Sequence, residues 1–203
     1  MKTNAWFCSL LLVGTTLAQV SVTDTSPKGS PLAWSGTPTS LTGKNTNSIE
    51  ILSYVARVNS VTVRHDYYFK PTGVAAGGTD RAFDLTAVKP SLATADTLAA
   101  TTVYVQFVDG TERGDHAVGR AWTSTRNEIN VLLSDLTAAY QQGGFGGLDA
   151  KIEGVIHSAD YGVVMKYIAS HLSMLHSDSD RLAEINSRIV SAAKHDKMPA
   201  GQD

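Results

Sequence analysis

The chain is poor in cysteine: Cys8 is the only one, and it lies within an N-terminal segment that we expect to be removed. A single cysteine excludes an intramolecular disulfide, so the domain must be held together by its hydrophobic core. About 185 residues remain after removal of that segment, and a domain of this size buries roughly 70% of the surface that its unfolded chain exposes. The length is therefore sufficient for one self-supporting domain.

Glycosylation acceptors, basic blocks and long apolar runs are also missing. None of the asparagines is followed two positions later by serine or threonine, which excludes N-linked glycosylation. The formal net charge is −2 and basic residues form no block, so nucleic acid and anionic membrane surfaces are poor candidate partners. No stretch approaches the ~20 apolar residues of a membrane-spanning helix, and we expect no transmembrane segment.

The first residues have the pattern of a secretory signal. Lys2 is the only charge ahead of a short apolar run, and Thr16 and Ala18 place small residues at the cleavage position. This order of charge, apolar core and small residues is typical of a cleaved signal peptide. We predict that residues 1–18 are removed, that the mature chain begins at Gln19, and that the protein is secreted, either outside the cell or into a periplasm. A buried N-terminal helix is the alternative.

Residues 19–47 are dominated by serine, threonine, glycine and proline. A segment with so few apolar side chains cannot offset its own ordering entropy, so we predict a flexible arm. Leu32 and Trp34 are exceptions, and we expect them to dock on the body as a short strand or, alternatively, to contact a partner. An arm that pairs with the sheet edge of a neighbouring copy would make the protein a homo-oligomer.

Alternating apolar residues predict strands in the next part of the chain. Residues 61–70 alternate with period two, whereas residues 49–58 fit a strand about as well as a helix. We favour a strand for residues 49–58, joined to the strand over 61–70 by a hairpin at Asn59-Ser60. Residues 102–108 have the clearest strand pattern, and Asp109-Gly110 directly after them suits a tight hairpin turn.

Helical periodicity replaces this alternation from residue 125 onward. Residues 125–128 read Thr-Arg-Asn-Glu, the pattern of a capping box that begins a helix. The glycine-rich stretch 143–147 predicts a hinge before a second helical segment. Ser177 with Asp180 gives another capping pattern and begins a third.

Strands followed by helices predict an α+β domain. We expect an antiparallel sheet in the N-terminal half, packed against about three amphipathic C-terminal helices. The predicted division is a signal peptide over 1–18, a flexible arm over 19–47, a single domain over 48–194 and a frayed tail over 195–203.

Three side chains are candidates for catalysis, namely His65, Tyr67 and His116. His65 and Tyr67 lie two positions apart on the apolar side of one predicted strand, about 7 Å along it, where a histidine can serve as a general base. His116 follows the predicted tight turn, at the start of a returning strand predicted over 116–122. For His65 the alternative is a core histidine that hydrogen-bonds to a backbone carbonyl.

Cofactor and metal sites are not indicated by any motif. The sequence has no His-x₃-His pair and no Gly-x-Ser-x-Gly elbow. Its glycine-rich stretch follows a helix and lacks the Lys-Ser/Thr of a phosphate-binding loop. We therefore expect neither a cofactor nor a metal.

Export, modest size and the lack of a catalytic motif favour a secreted interaction protein. Such a protein would be a toxin, an effector or an extracellular binding module, and its partner would be a protein or a small molecule. One alternative is a small secreted hydrolase or isomerase that uses His65 or His116 for acid–base catalysis. Another is a self-assembling coat or matrix subunit joined through the arm of residues 19–47.

Overall fold

A central β-sheet lies between a β-hairpin layer on one face and helices on the other. The computed structural model describes residues 20–95 and 97–196, so the predicted signal peptide lies outside the described residues. Strands occupy the N-terminal half and helices the C-terminal half, which confirms the predicted α+β class. Within the described ranges, no helix has both the length and the apolar character needed to cross a membrane.

Seven strands precede three helices in the part of the chain that the structure describes. The elements, in chain order, are β1 (Val22–Asp24), β2 (Leu32–Thr37), β3 (Ser40–Asn45), β4 (Ile51–Val58), β5 (Val61–Asp66), a 3₁₀ helix (Pro90–Thr94), β6 (Leu98–Phe107), β7 (Glu112–Gly114), α1 (His116–His157), α2 (Val163–Ser173) and α3 (Asp178–Asp196).

The main sheet is mixed and not purely antiparallel. Its order is β1-β6-β4-β5, with β7 paired to β6. The pairs β4–β5, β4–β6 and β6–β7 are antiparallel, as predicted, but β1 runs parallel to β6. β1 comes from the segment ahead of residue 48, which we predicted to be a flexible arm, so its pairing with β6 was not expected.

Both predicted hairpin turns are present. Asn59, between β4 and β5, has a φ of 49° and Gly110, between β6 and β7, has a φ of 87°. Asparagine and glycine are the residues that adopt this left-handed conformation most readily. These two turns fix the register of the strands that carry the candidate site.

The prediction of a flexible arm over 19–47 is wrong. The segment supplies β1 and the β2–β3 hairpin, and Leu32, Trp34 and Leu41 are buried in the core. The Trp34 indole nitrogen donates to the Thr102 hydroxyl at 2.9 Å. Burial of these three large side chains and the pairing of β1 and β2 with neighbouring strands offset the entropy lost when the segment is ordered. The composition of the segment does not reveal these contributions. The docking of Leu32 and Trp34 as a short strand is confirmed.

Helix α1 begins nine residues ahead of the predicted capping box. Asp115 is the N-cap, and its carboxylate accepts from the Ala117 amide at 2.9 Å. Thr125 lies inside the helix, where its hydroxyl donates to the Ala121 carbonyl at 3.0 Å. The returning strand predicted over 116–122 is therefore wrong, because the antiparallel strand ends at Gly114 and the cap at Asp115 starts the helix.

The remaining helical boundaries follow the sequence more closely. Gly144 has a φ of 59° and kinks α1 within the predicted glycine-rich hinge. The Ser177 hydroxyl accepts from the Asp180 amide at 3.2 Å, so the predicted cap of α3 is confirmed. The tail does not fray at 195: α3 includes His195, which is buried, and Asp196. Residues 197–203 lie outside the described residues.

Candidate functional site

His65 lies on β5, on the face of the sheet that the β2–β3 hairpin covers. It pairs in register with Tyr54 of β4, and its Nδ1 atom is 3.0 Å from an Asp80 carboxylate oxygen. The side chain of His65 is 17% exposed and that of Asp80 is 4% exposed. The sequence-predicted histidine therefore has an acidic partner, which comes from the loop between β5 and β6.

The Asp80 carboxylate is the centre of this cluster. It accepts hydrogen bonds from the hydroxyls of Tyr54 and Tyr67, and the Arg81 amide donates to it at 2.7 Å. Burial alone would raise the pKa of Asp80, but the hydrogen bonds from His65, Tyr54 and Tyr67 outweigh it and lower the pKa to about 2. Asp80 is therefore a firmly ionised buried carboxylate.

Tyr67 belongs to the same cluster, as the spacing on the strand predicts. Its ring stacks on that of His65 with centroids 4.0 Å apart, and its hydroxyl is 3.0 Å from His65 Nδ1. Burial, together with the hydrogen bond to Asp80, raises the pKa of Tyr67 well above its usual value. Tyr67 is thus a hydrogen-bond donor to the carboxylate and does not ionise near neutral pH.

Proton transfer is the chemistry that this cluster can perform. A carboxylate on Nδ1 fixes the orientation of an imidazole and leaves Nε2 as the nitrogen that exchanges a proton. The rings of Tyr54 and Phe83 pack edge-on against His65, with centroids 5.9 and 5.8 Å away. In the described residues, no serine, threonine or cysteine side chain hydrogen-bonds to His65, so the cluster supplies a base without a nucleophile.

His116 is not part of this cluster. It is the first residue of α1, its side chain is 71% exposed, and its Nδ1 atom lies 3.6 Å from a carboxylate oxygen of Glu112. Glu112 also accepts from Tyr104 on the helix-covered side of the sheet. His65 and His116 therefore lie on opposite faces of the sheet and cannot act on one substrate together.

A second polar cluster, which the sequence did not indicate, lies on the helix-covered face. Arg126 of α1 binds the Asp66 carboxylate through two nitrogens at 2.9 and 2.7 Å. A third Arg126 nitrogen donates to the Gln106 amide oxygen at 2.6 Å, and the guanidinium carbon lies 4.6 Å from the centre of the Tyr68 ring. The arginine is buried, so the pair links β5 to α1 inside the protein.

Replacing Asp80 with asparagine should make the free energy of unfolding less dependent on pH below about pH 6. The folded state holds the pKa of Asp80 near 2 against a usual value of 3.8. The carboxylate therefore stabilises the fold fully above about pH 4, and its contribution of about 2 kcal/mol is lost as the pH falls toward 2. Urea unfolding from about pH 6 to about pH 2 should show a shallower decline for Asp80→Asn than for the wild type. An equally steep decline in the free energy of unfolding of the two proteins would contradict the lowered pKa of Asp80.

Within residues 20–95 and 97–196, no three or more His, Cys, Asp or Glu side chains lie close enough together to hold a metal ion. No protein-family model matches the chain, and no curated protein or solved structure matches it.

Proposed function

We propose that this is a secreted interaction protein that binds a protein partner through one face of helix α2. The observation that supports this is the exposure of large apolar side chains there: Val163 is 85%, Tyr167 72% and Met174 69% exposed. Single exposed apolar residues are common on protein surfaces, but a contiguous apolar patch marks an interaction site.

Helical spacing places these residues on one side of α2. At 3.6 residues per turn, Val163, Val164, Tyr167, His171 and Met174 fall within an arc of about 100°. We call these five residues the α2 face. None of them is Asp, Glu, Lys or Arg. The opposite side of the helix, with Ile168, Ala169 and Leu172, is buried against the rest of the domain.

The size of the α2 face favours insertion into a groove of the partner. The helix has 11 residues and is therefore about 16 Å long. Two copies of so short a helix bury less than the roughly 800 Å² per partner of a stable interface between flat surfaces. A groove in the partner buries more of the helix, and this mode uses apolar anchors that recur at helical spacing on one face, here Val163, Tyr167 and Met174.

Small folded binding domains selected from a displayed library against the purified protein should bind at the α2 face. Tyr167→Glu should weaken their binding at least about ten-fold, because a carboxylate would be desolvated in an apolar contact. Val88→Glu is the matched control, since Val88 is 74% exposed but lies outside the helical layer. Binding domains that tolerate both Tyr167→Glu and Met174→Glu would reject the proposal. Self-association lost in Tyr167→Glu would identify a second copy as the partner.

Export is part of the proposal and has its own test. The charge, apolar run and small residues of 1–18 support removal of that segment during secretion. N-terminal sequencing of protein collected outside the producing cytoplasm should return a chain that begins at Gln19. A sequence that begins at Met1 would contradict export through a cleaved signal.

Acid–base catalysis at His65 is the second candidate, supported by the contact between its Nδ1 atom and the buried Asp80 carboxylate. A screen with hydrolase and isomerase substrates should find activity that His65→Gln abolishes and His157→Gln leaves intact. Self-assembly through the arm has no comparable support, because Leu32 and Trp34 are buried within their own chain.

A further inference from the structure

A cavity of about 320 Å³ opens on the helix-covered side of the sheet. It lies between the β6–β7 turn, the N-terminal half of α1 and the last residues of α3, and its volume is within the usual range for small-molecule sites. Apolar and polar side chains both line it, among them Leu52, Val108, Glu112, Arg126, His195 and Asp196.

Three of the hydrogen-bond donors around this cavity, on Tyr68, Gln106 and Arg126, are already engaged. Arg126 donates to Asp66 and Gln106, and the Gln106 amide nitrogen donates to Glu112 at 3.3 Å. The Tyr68 hydroxyl donates to Asp196, and the hydrogen bond to that carboxylate adds to burial in raising the pKa of Tyr68 to about 12. A ligand therefore meets few free donors here.

His195 adds a buried acceptor that has no hydrogen-bond partner among the described residues. Its Nε2 atom is 3.3 Å from the Lys70 carbonyl, and a carbonyl can only accept, so Nε2 carries the hydrogen. Burial lowers the pKa of His195, which keeps the ring neutral and leaves a lone pair on Nδ1. The side chain belongs to a residue that is only 7% exposed, and among the described residues Nδ1 has no hydrogen-bond partner. Such an unsatisfied buried group costs free energy unless a ligand donates to it.

The charge of the lining is negative. The positive charge of Arg126 is balanced by Asp66, which it contacts through two hydrogen bonds. Glu112 and Asp196 contribute two negatively charged carboxylates to the cavity, and the neutral ring of His195 contributes no charge. From these free acceptors, the negative charge and the apolar wall of Leu52 and Val108, we propose that the cavity binds a small primary amine with an apolar body.

Three probes of one shape test the proposed chemistry, namely 2-phenylethylamine, 2-phenylethanol and 3-phenylpropionate. They share an aromatic body and differ in carrying a cationic, a neutral or an anionic end. Titrated into purified ¹⁵N-labelled protein, the amine alone should shift the amide resonances of the cavity lining in a saturable way. Equal shifts with the alcohol or the acid, or no saturable shift with the amine, would overturn the proposal. Neither result bears on the α2 face, which takes no part in the cavity.

Two variants assign the binding to the named acceptors. His195→Gln keeps a donor for the Lys70 carbonyl but removes the ring acceptor, and Asp196→Asn removes a charge while it keeps an acceptor for Tyr68. Each should weaken the affinity for 2-phenylethylamine about ten-fold, the factor expected for one lost charge-assisted hydrogen bond. His157→Gln and Asp160→Asn make the same chemical changes at exposed positions and should leave affinity unchanged. Unchanged affinity in both cavity variants, with unchanged melting temperatures, would reject the assignment.

Discussion

Replacing Arg126 with methionine should lower the free energy of unfolding by about 3–5 kcal/mol, because it leaves a buried carboxylate without its partner. The side chains of Arg126 and Asp66 are only 7% and 13% exposed, so water replaces little of the lost interaction. Methionine fills much of the same volume, which separates the loss of charge from the loss of packing. Urea unfolding monitored by circular dichroism measures the difference directly.

A double-mutant cycle separates the ion pair from its surroundings. Asp66→Asn with Arg126→Met should be more stable than Arg126→Met alone, since no unpaired charge is left inside. Lys151→Met is the exposed control: its partner Asp135 is 45% exposed, and the loss should be at most about 1 kcal/mol. Equal losses for Arg126→Met and Lys151→Met would mean that the Arg126–Asp66 pair does not link β5 to α1.

Local sequence signals were sufficient for the two hairpin turns and for the N-terminal cap of α3. Asn59 and Gly110 adopt the left-handed backbone that the two hairpins need, and the Ser177 side chain caps α3. Each of these features depends on neighbours within a few positions, so the residue type alone predicts it.

The errors in the fold come from contacts between distant residues. Pairing of β1 with β6 joins residues more than seventy positions apart, which the composition of residues 19–47 does not reveal. Within the first turns of α1, a Cβ atom added at Gly119 would lie 2.7 Å from a Glu112 carboxylate oxygen. The glycine lets the first turns of α1 approach Glu112 closely. In the sequence alone, a glycine at this position indicates only a weak tendency to form a helix.

Only the part of the candidate site that lies on one strand was predicted, because its other contacts join residues distant in the sequence. Period-two spacing placed His65 and Tyr67 on one side of a strand, and they contact each other there. Asp80 comes from a loop with no regular pattern, and its contact with His65 spans fifteen positions. The Arg126–Asp66 pair spans sixty positions. Ion pairs of this kind depend on how the layers stack, and no local motif marks them.

Replacing Leu136 with alanine should lower the free energy of unfolding by about 2–5 kcal/mol, because it removes a fully buried side chain and leaves a cavity. Leu136 is 0% exposed and packs in the core that α1 shares with α2 and α3. Val131→Ala is the matched control on the same helix, since Val131 is 62% exposed and its truncation should change stability by less than about 0.5 kcal/mol. Urea unfolding at one pH compares the two.

The pair of variants also tests which side of α1 faces the core. Leu132, Leu133 and Leu136 all point inward in a regular helix that continues from Asp115, so the large loss should follow the buried side alone. The fraction of Leu136→Ala that the selected domains bind at the α2 face should fall only as far as its folded fraction does, because α2 is held in place by this same core. Similar unfolding midpoints for Leu136→Ala and Val131→Ala would show that α1 is rotated about its axis, and the burial of Ile168 and Leu172 beneath the α2 face would then have to be reassigned as well.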